Sequence, residues 1–149
     1  MSVFCSSDLF IYQFTKYIEW CPDYQSGDFV IGIMGTTKVA DELNAIAKSK
    51  KVVAQTIVVK NFDSPADITK CNILYIAEDK SGQFQASNSK IGSACTVIIT
   101  EKSGMAQSGA SINFIEADGK VLFEINKNAF NNRGLKLSNQ LINLAKASY

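Results

Sequence analysis

The fold of this chain is decided by the stretch Ile112-Asn113-Phe114-Ile115-Glu116-Ala117-Asp118-Gly119-Lys120-Val121-Leu122-Phe123-Glu124-Ile125-Asn126. Its Asp118-Gly119 pair predicts a two-residue type I′ turn, because both central positions of that turn need a positive φ angle. A turn there sets the register of a β-hairpin over residues 112–126, with Phe114 opposite Phe123 and Asn113 opposite Glu124. Side chains alternate between faces along a strand, so one face carries Ile112, Phe114, Val121, Phe123 and Ile125. This apolar face needs a second layer to cover it.

The segments before the hairpin alternate between strand-like and helix-like patterns. Apolar, β-rich runs at residues 29–35, 56–60, 71–76 and 95–99 predict four strands. A helix is expected over residues 38–48 and a short one after Ser64-Pro65, while residues 78–92 are weakly patterned. Asn126 and Ser138 are expected to cap two short helices after the hairpin. The whole pattern predicts a single α/β domain over residues 1–149, with a mixed, mostly parallel sheet flanked by helices.

The first helix is predicted over residues 9–20. Apolar residues recur there at three- and four-residue spacing, Ser6, Ser7 and Asp8 offer capping side chains, and Pro22 ends the segment. Residues 1–8 are expected to precede the domain. The simplest interpretation is a well-buried core helix. The alternative is that part of its aromatic face, namely Tyr12, Tyr17 and Trp20, docks a partner.

The composition excludes several classes of function. A net charge of +1 argues against a large nucleic-acid footprint. The chain contains no histidine, which removes Ser-His-Asp and Cys-His catalysis and histidine-based metal sites. No apolar run reaches the length of about 18 residues that a membrane span requires. We therefore predict no metal, no cofactor and no membrane-spanning segment.

The four cysteines, Cys5, Cys21, Cys71 and Cys95, contain no CxxC motif, which argues against zinc ribbons and thioredoxin-like redox sites. Cys5 and Cys21 flank the predicted first helix and would lie roughly 24 Å apart, which is too far for a disulfide. Cys71 and Cys95 each begin a predicted strand. They could form a disulfide if those strands are neighbours, or they could remain free, buried thiols.

Polar residues at the ends of the predicted strands are candidates for a ligand site. Gly35, Glu78 and Thr100 each follow a strand, and ligands of α/β sheets bind at the carboxyl ends of strands. The alternative is a set of solvated loops and tight turns. No pair of carboxylates stands out as a general acid and base. The residues alone therefore indicate an α/β domain that is not an enzyme.

Several segments form a recognisable set. They are Phe10–Trp20, Phe29–Gly35, Cys71–Ile76, Ser108–Phe114, Phe123–Asn126 and Gly134–Leu141. In this order they resemble the YfiR-like family, whose first helix ends in Glu-Trp-Pro and whose later strand reads Cys-His-Ile-Leu. The chain departs from that pattern at Cys21, at Asn72 and in the serine-rich stretch over residues 81–93, where a clean helix is expected.

The resemblance implies an exported protein that works in the bacterial periplasm, with its leader missing from this sequence. The family's best-understood member is a non-enzymatic repressor. It binds the periplasmic part of a membrane-anchored diguanylate cyclase and keeps cyclic-di-GMP output low. Other members act beside sensor kinases, and homodimers occur. An oxidising compartment would favour the Cys71–Cys95 disulfide. The alternative function is a small-molecule-binding periplasmic sensor module.

Overall fold

The computed structural model describes residues 11–37 and 39–149. The predicted capping residues Ser6, Ser7 and Asp8, the segment over residues 1–8 and Cys5 lie outside these ranges. The described residues form an α/β domain whose sheet carries helices on both faces. This architecture confirms the predicted fold class.

The helices and strands are numbered in chain order. The helices are α1 over residues 11–17, α2 Val39–Ser49, α3 Phe84–Ile91, α4 Lys127–Asn131 and α5 Asn139–Leu144. The strands are β1 Ile18–Glu19, β2 Phe29–Met34, β3 Lys51–Val52, β4 Gln55–Phe62, β5 Ile73–Ile76, β6 Val97–Thr100, β7 Ile112–Ala117, β8 Lys120–Ile125, β9 Lys136–Leu137 and β10 Ala147–Ser148. Short 3₁₀ turns lie at Pro22–Tyr24, Pro65–Asp67 and Glu78–Gln83.

The main sheet has eight strands in the order β10-β8-β7-β6-β5-β2-β4-β3. Strands β4, β2, β5, β6 and β7 run parallel to their neighbours, while β3 and β8 are antiparallel to β4 and β7. The carboxyl ends of the parallel strands therefore meet at one edge, which we call the carboxyl edge. The opposite edge, where these strands begin, is the amino edge.

The predicted hairpin is confirmed. Asp118 and Gly119 have φ angles of 53° and 75°, and Phe114 pairs with Phe123 and Asn113 with Glu124. The apolar face packs under α1, where the Phe14 ring lies 5.1 Å from that of Phe123 and 5.9 Å from that of Phe114. The second layer that the hairpin requires is therefore supplied by the first helix.

Two hydrophobic cores cover the two faces of the sheet. The larger one contains residues of α1, α2, α4 and α5, including Phe14, Leu43, Phe130 and Leu141. The smaller one is built by Phe84 and Ile91 of α3 with Met34, Phe62, Ile68, Leu74 and Ile98. The central strands β5 and β6 supply alternate side chains to both cores, which explains why their sequences are continuously apolar.

The structure corrects the predicted end of the first helix. Helix α1 ends at residue 17, and Ile18–Glu19 pair instead with Lys136–Leu137 in a small antiparallel sheet. An apolar helical pattern cannot reveal this, because the competing partner lies more than a hundred residues away. No helix among the described residues has the length and hydrophobicity needed to cross a bilayer.

The early end of α1 also explains why the cysteine pairing differs from the predicted one. Cys95 forms a disulfide with Cys21, with a Cα–Cα distance of 6.1 Å, and Cys71 is a free, buried thiol. The predicted Cys71–Cys95 disulfide is therefore wrong. Once the chain leaves the helix at residue 17, the turn at Pro22–Tyr24 brings Cys21 to the amino edge, where Cys95 precedes β6.

Candidate functional site

The residues predicted to bind a ligand lie at the carboxyl edge, where other residues of the chain already occupy most of the polar groups. Gly35 directly follows β2, and a Cβ atom placed on it would lie 2.5 Å from Oδ1 of Asp79 and 2.9 Å from Cβ of Ala77. The Asp79 carboxylate accepts the N–H of Thr36 at 3.0 and 3.2 Å. The chain's own carboxylate thus takes the place that an anionic ligand would need at this turn.

Glu101 forms further hydrogen bonds within the chain at the same edge. Its carboxylate accepts the hydroxyl of Tyr75 at 2.5 Å and the N–H of Glu78 at 2.8 Å. Burial raises the pKa of Glu101, and the nearby carboxylates of Glu78 and Asp79 add to the rise, while the hydrogen bonds from Tyr75 and from the N–H of Glu78 oppose it. The edge therefore holds a half-buried carboxyl with an altered affinity for protons.

Thr100 is buried and does not face a ligand. Its hydroxyl donates to Oδ1 of Asn113 at 2.7 Å, and the N–H of Lys102 donates to the same oxygen at 3.2 Å. Asn113 in turn donates to Oε1 of Glu124 across the hairpin at 3.5 Å. The expectation that Thr100 is open to a ligand is corrected, because its polar atom serves this network. The side chain of Glu78 is exposed, and its role in ligand binding remains a prediction.

A cavity of about 420 Å³ lies beside these residues, where the hairpin projects beyond the end of β6. Three carboxylates, Glu101, Glu116 and Glu124, line it together with Lys146, the loop at residues 103–107 and the start of the hairpin. The excess of negative groups fits a cationic or polar small molecule better than an anion.

A second region, at the amino edge, presents exposed lysines and one exposed apolar side chain. We define the helix–hairpin surface by Tyr12 and Lys16 of α1 with Lys50, Lys51 and Val53 of the β3–β4 hairpin. The ammonium groups of Lys16 and Lys50 lie 5.2 and 5.9 Å from the centre of the Tyr12 ring. Tyr12 also donates its hydroxyl weakly to the carbonyl of Lys51 at 3.5 Å. The result is an aromatic ring framed by positive charge.

Val53 is the unusual member of this surface. It has a φ angle of 57°, and 98% of it is exposed. A β-branched residue in the left-handed region is strained by about 1–2 kcal/mol, and Gly, Asn or Asp normally occupies such a turn. No sequence signal indicated this turn, because Val53-Ala54 has none of the residues that favour positive φ.

A groove of about 330 Å³ lies next to Val53. The end of α1, the turn around Tyr24 and Gln25, and residues 52–55 form its walls. Trp20 borders this groove but is only 5% exposed, since its indole N–H donates to the carbonyl of Asn72 at 2.8 Å and its ring stacks edge-on against Phe29. The expectation that Trp20 is exposed to a partner is corrected.

The three aromatic residues predicted to contact a partner therefore do not form one surface. Tyr12 and Tyr17 are half-buried and lie about 140° apart around α1 by helical geometry. Tyr17 packs against the core near the start of α5, where its carbonyl accepts the N–H of Ser138 at 3.0 Å. Of the three, Tyr12 is the one that belongs to the helix–hairpin surface.

Two buried side chains, the Cys71 thiol and the Tyr75 hydroxyl, are held in their neutral forms. Burial raises the pKa of the Cys71 thiol to about 12, and burial also raises the pKa of Tyr75. Within residues 11–37 and 39–149, no cluster of three or more Cys, Asp or Glu side chains is placed to hold a metal ion. The described geometry offers surfaces and cavities that are suited to binding.

Solved structures of similar fold exist at low sequence identity. The ABC domain from Streptococcus pneumoniae in complex with L-Trp has a TM-score of 0.65 and 10% identity, over 99% of this chain and 61% of that one. A conserved domain protein from Vibrio cholerae has a TM-score of 0.60 and 14% identity, over 100% of this chain and 61% of that one. The chain thus spans about three-fifths of both, and the likeness concerns the fold alone.

Sequence comparison places the chain more specifically. No curated protein matches it significantly. The model of the family described as YfiR/HmsC-like, DUF4154, matches residues 7–146, which is nearly the whole chain. The chain therefore belongs to the YfiR/HmsC-like family.

Proposed function

We propose that this protein is a non-enzymatic periplasmic regulator that binds and represses a membrane-anchored signalling protein, either a diguanylate cyclase or a sensor kinase. The family match over residues 7–146 is the observation that carries the proposal. The family's best-understood member is a repressor of a membrane-anchored diguanylate cyclase. The disulfide Cys21–Cys95 is in keeping with an oxidising compartment.

The helix–hairpin surface is the proposed contact for the partner. Lys16, Lys50 and Lys51 are exposed there, and Val53 projects beside a groove large enough to accept an apolar side chain. Interfaces are strongest where a desolvated apolar anchor is surrounded by complementary charge. The partner's periplasmic segment should therefore carry an apolar anchor flanked by Asp or Glu.

A charge reversal tests this contact. Purified periplasmic domains of the diguanylate cyclases and sensor kinases from the same cell would be immobilised, and binding of the oxidised protein measured for each. Wild type should bind at least one of them, and Lys16→Glu with Lys50→Glu should weaken that binding about tenfold or more, since two attractive contacts become repulsive. Added protein should also lower the cyclase activity or kinase autophosphorylation of membranes containing the full-length partner.

The matched control is Lys90→Glu. Lys90 is an exposed lysine of α3, on the opposite face of the sheet, so the reversal there should leave binding unchanged. If no cyclase or kinase domain binds wild type, the proposed function is wrong. If Lys90→Glu weakens binding as much as the double variant, the partner responds to net charge and the helix–hairpin surface is not the contact.

The second candidate function is a periplasmic sensor module for a small molecule, and the 420 Å³ cavity beside the hairpin favours it. Its carboxylates would select a cationic ligand such as a polyamine or a basic amino acid. A thermal-shift screen of such compounds should raise the melting temperature of wild type and not that of Glu124→Gln. The absence of any stabilising cation would remove this candidate. The two functions are compatible, because a ligand can bias partner binding.

A further inference from the structure

Arg133 is a buried positive charge that has no negative partner among the residues that the structure describes. The residue is 7% exposed and follows α4 in a turn that Gly134 closes with a φ angle of 72°. Its side chain extends to the end of α3, where Nε donates to the carbonyl of Gly92 at 3.2 Å and Nη2 donates to Oδ1 of Asn88 at 2.5 Å. Both acceptors are neutral.

The guanidinium group has five N–H donors, and these two hydrogen bonds use two of them. Among residues 11–37 and 39–149, no Asp or Glu carboxylate forms an ion pair with Arg133. Buried charges in proteins are normally paired, because an unpaired one loses its hydration without compensation. Burial accordingly lowers the pKa of Arg133.

Arg133 borders a cavity of about 360 Å³. Four asparagine residues line it, Asn88, Asn126, Asn128 and Asn132, together with Gly92, Gly109 and Ala129. Within the described part of the chain, the lining contains neither a carboxylate nor an aromatic ring. Asn128 and Asn132 are exposed, Asn88 is half-buried and Arg133 is buried. The volume falls in the lower part of the range typical of small-ligand pockets.

We propose that this cavity binds a compact oxyanion, a phosphate or carboxylate group carried by a small polar molecule, with Arg133 as its charged contact. The planar guanidinium presents paired N–H donors that match two oxygens of either group. The side-chain amide of Asn126 is already used, since it donates to the carbonyl of Ala106 and accepts the N–H of Ala129. The exposed amides of Asn128 and Asn132 can donate and accept, which suits hydroxyl or amide substituents. The acidic 420 Å³ cavity at the carboxyl edge favours cations, whereas the cavity at Arg133 favours anions, so the two sites would not share a ligand. The proposal does not depend on the proposed regulatory function.

The first measurement uses the oxidised wild-type protein with inorganic phosphate, acetate and glycerol 3-phosphate as probes and sodium chloride at matched ionic strength as reference. Phosphate or acetate should raise the melting temperature in a concentration-dependent manner, as binding to the folded state requires. In NMR spectra the Nε–H signal of Arg133 should shift and saturate. A larger effect of phosphate than of acetate would assign the ligand to phosphates, and the reverse order would assign it to carboxylates.

Asn88→Asp is the decisive variant. It keeps the shape of Asn88 and places a carboxylate on the guanidinium, so the protein fills its own anion site. We expect unchanged or higher stability and at least about tenfold weaker binding of the preferred probe. Arg133→Gln should also lose binding, but it can destabilise the fold, so it serves only as a second variant.

Asn131→Asp is the matched control. It adds the same charge on α4 at an exposed residue outside the cavity lining, and it should keep wild-type affinity. No stabilisation of wild type beyond the chloride reference would overturn the proposal. Binding that survives in Asn88→Asp would also overturn it, because the anion would then be bound elsewhere. Neither result bears on whether a cyclase or kinase domain binds the helix–hairpin surface.

Discussion

The two edges of the parallel sheet differ in how far the chain satisfies its own polar groups and buries its apolar side chains. At the carboxyl edge the chain satisfies its own polar groups, since Asp79 accepts the N–H of Thr36 and Glu101 accepts from Tyr75 and Glu78. At the amino edge a disulfide holds the chain, while Val53 stays strained and exposed. Ligands of α/β sheets usually bind at the carboxyl edge. In this protein the strained residue and the exposed lysines lie instead at the amino edge, which is why we propose the partner contact there.

Removal of the disulfide is expected to have the largest effect on stability and to loosen the amino edge more than the carboxyl edge. Cys21 and Cys95 are 74 residues apart, so Cys21→Ala with Cys95→Ala should lower the free energy of unfolding by about 4 kcal/mol through the entropy of the unfolded chain. Urea unfolding would measure this loss. Hydrogen exchange should increase mainly over residues 18–25, which the disulfide holds against β6.

The matched control for this variant is Cys71→Ala, which removes a buried thiol without breaking a covalent bond. It should destabilise by about 1 kcal/mol, as expected for a small cavity. An equal loss in Cys71→Ala and in the double variant, or uniform loss of exchange protection at both edges, would show that the disulfide does not selectively hold the amino edge.

The same contrast explains what sequence could and could not predict. The Asp118-Gly119 turn, the register of its hairpin and the caps at Asn126 and Ser138 depend on neighbouring residues, and all were predicted correctly. The partner of Cys95 depends on where α1 ends, and α1 ends early because Ile18–Glu19 pair with Lys136–Leu137. That pairing is tertiary and leaves no local pattern. The cysteine prediction failed for this reason.

The candidate sites show the same division. Gly35 and Glu78 could be assigned to the carboxyl edge because the α/β pattern predicts parallel strands, whose carboxyl ends share one edge. Sequence did not reveal that Asp79 fills the turn at Gly35. Arg133 carries no motif at all. Its burial and its contacts with neutral acceptors follow from the packing of α4 against the end of α3. Charge in a loop is ordinarily solvated, so only the structure could single it out.

Val53→Asn tests whether strain at the amino edge serves binding. Asn adopts positive φ readily, so the free energy of unfolding should rise by about 1 kcal/mol. If Val53 is an anchor for the partner, the same change should weaken binding of the cyclase or kinase domain. Thermal denaturation and the binding assay would measure both quantities. The control Asp118→Asn exchanges a residue at the equivalent position of the other hairpin, where φ is 53°, and should change neither by much.

A gain of stability together with unchanged binding would show that Val53 is merely a poor turn residue. A loss of stability would show that contacts of the valine side chain outweigh the backbone strain. Only the combination of higher stability and weaker binding supports the contrast between the edges, because it means that the fold retains an unfavourable residue where a partner needs it.

The smallest expected effect concerns protons at the carboxyl edge. The pKa of Glu101 is raised in the folded protein, mainly by burial, so between the pKa of the unfolded carboxyl and that of the folded one the native state binds the proton more tightly. The contribution of Glu101 to stability is therefore fully present below the unfolded pKa and is lost as the pH rises through the folded pKa. Glu101→Gln keeps an oxygen that can accept from Tyr75 but cannot titrate. As the pH rises through the mildly acidic range, the free energy of unfolding of wild type relative to Glu101→Gln should fall.

Urea unfolding at several pH values measures this difference, with Glu116→Gln, an exposed hairpin carboxyl, as the matched control. A wild-type stability that rises with pH relative to Glu101→Gln would mean that the hydrogen bonds from Tyr75 and Glu78 outweigh burial, and the carboxyl edge would then favour the ionised form. Binding of the signalling partner should not change in Glu101→Gln at any of these pH values, because Glu101 lies at the edge that the chain closes for itself. If partner binding did follow the titration of Glu101, the two edges would be coupled and the division of the molecule into a closed and an open edge would fail.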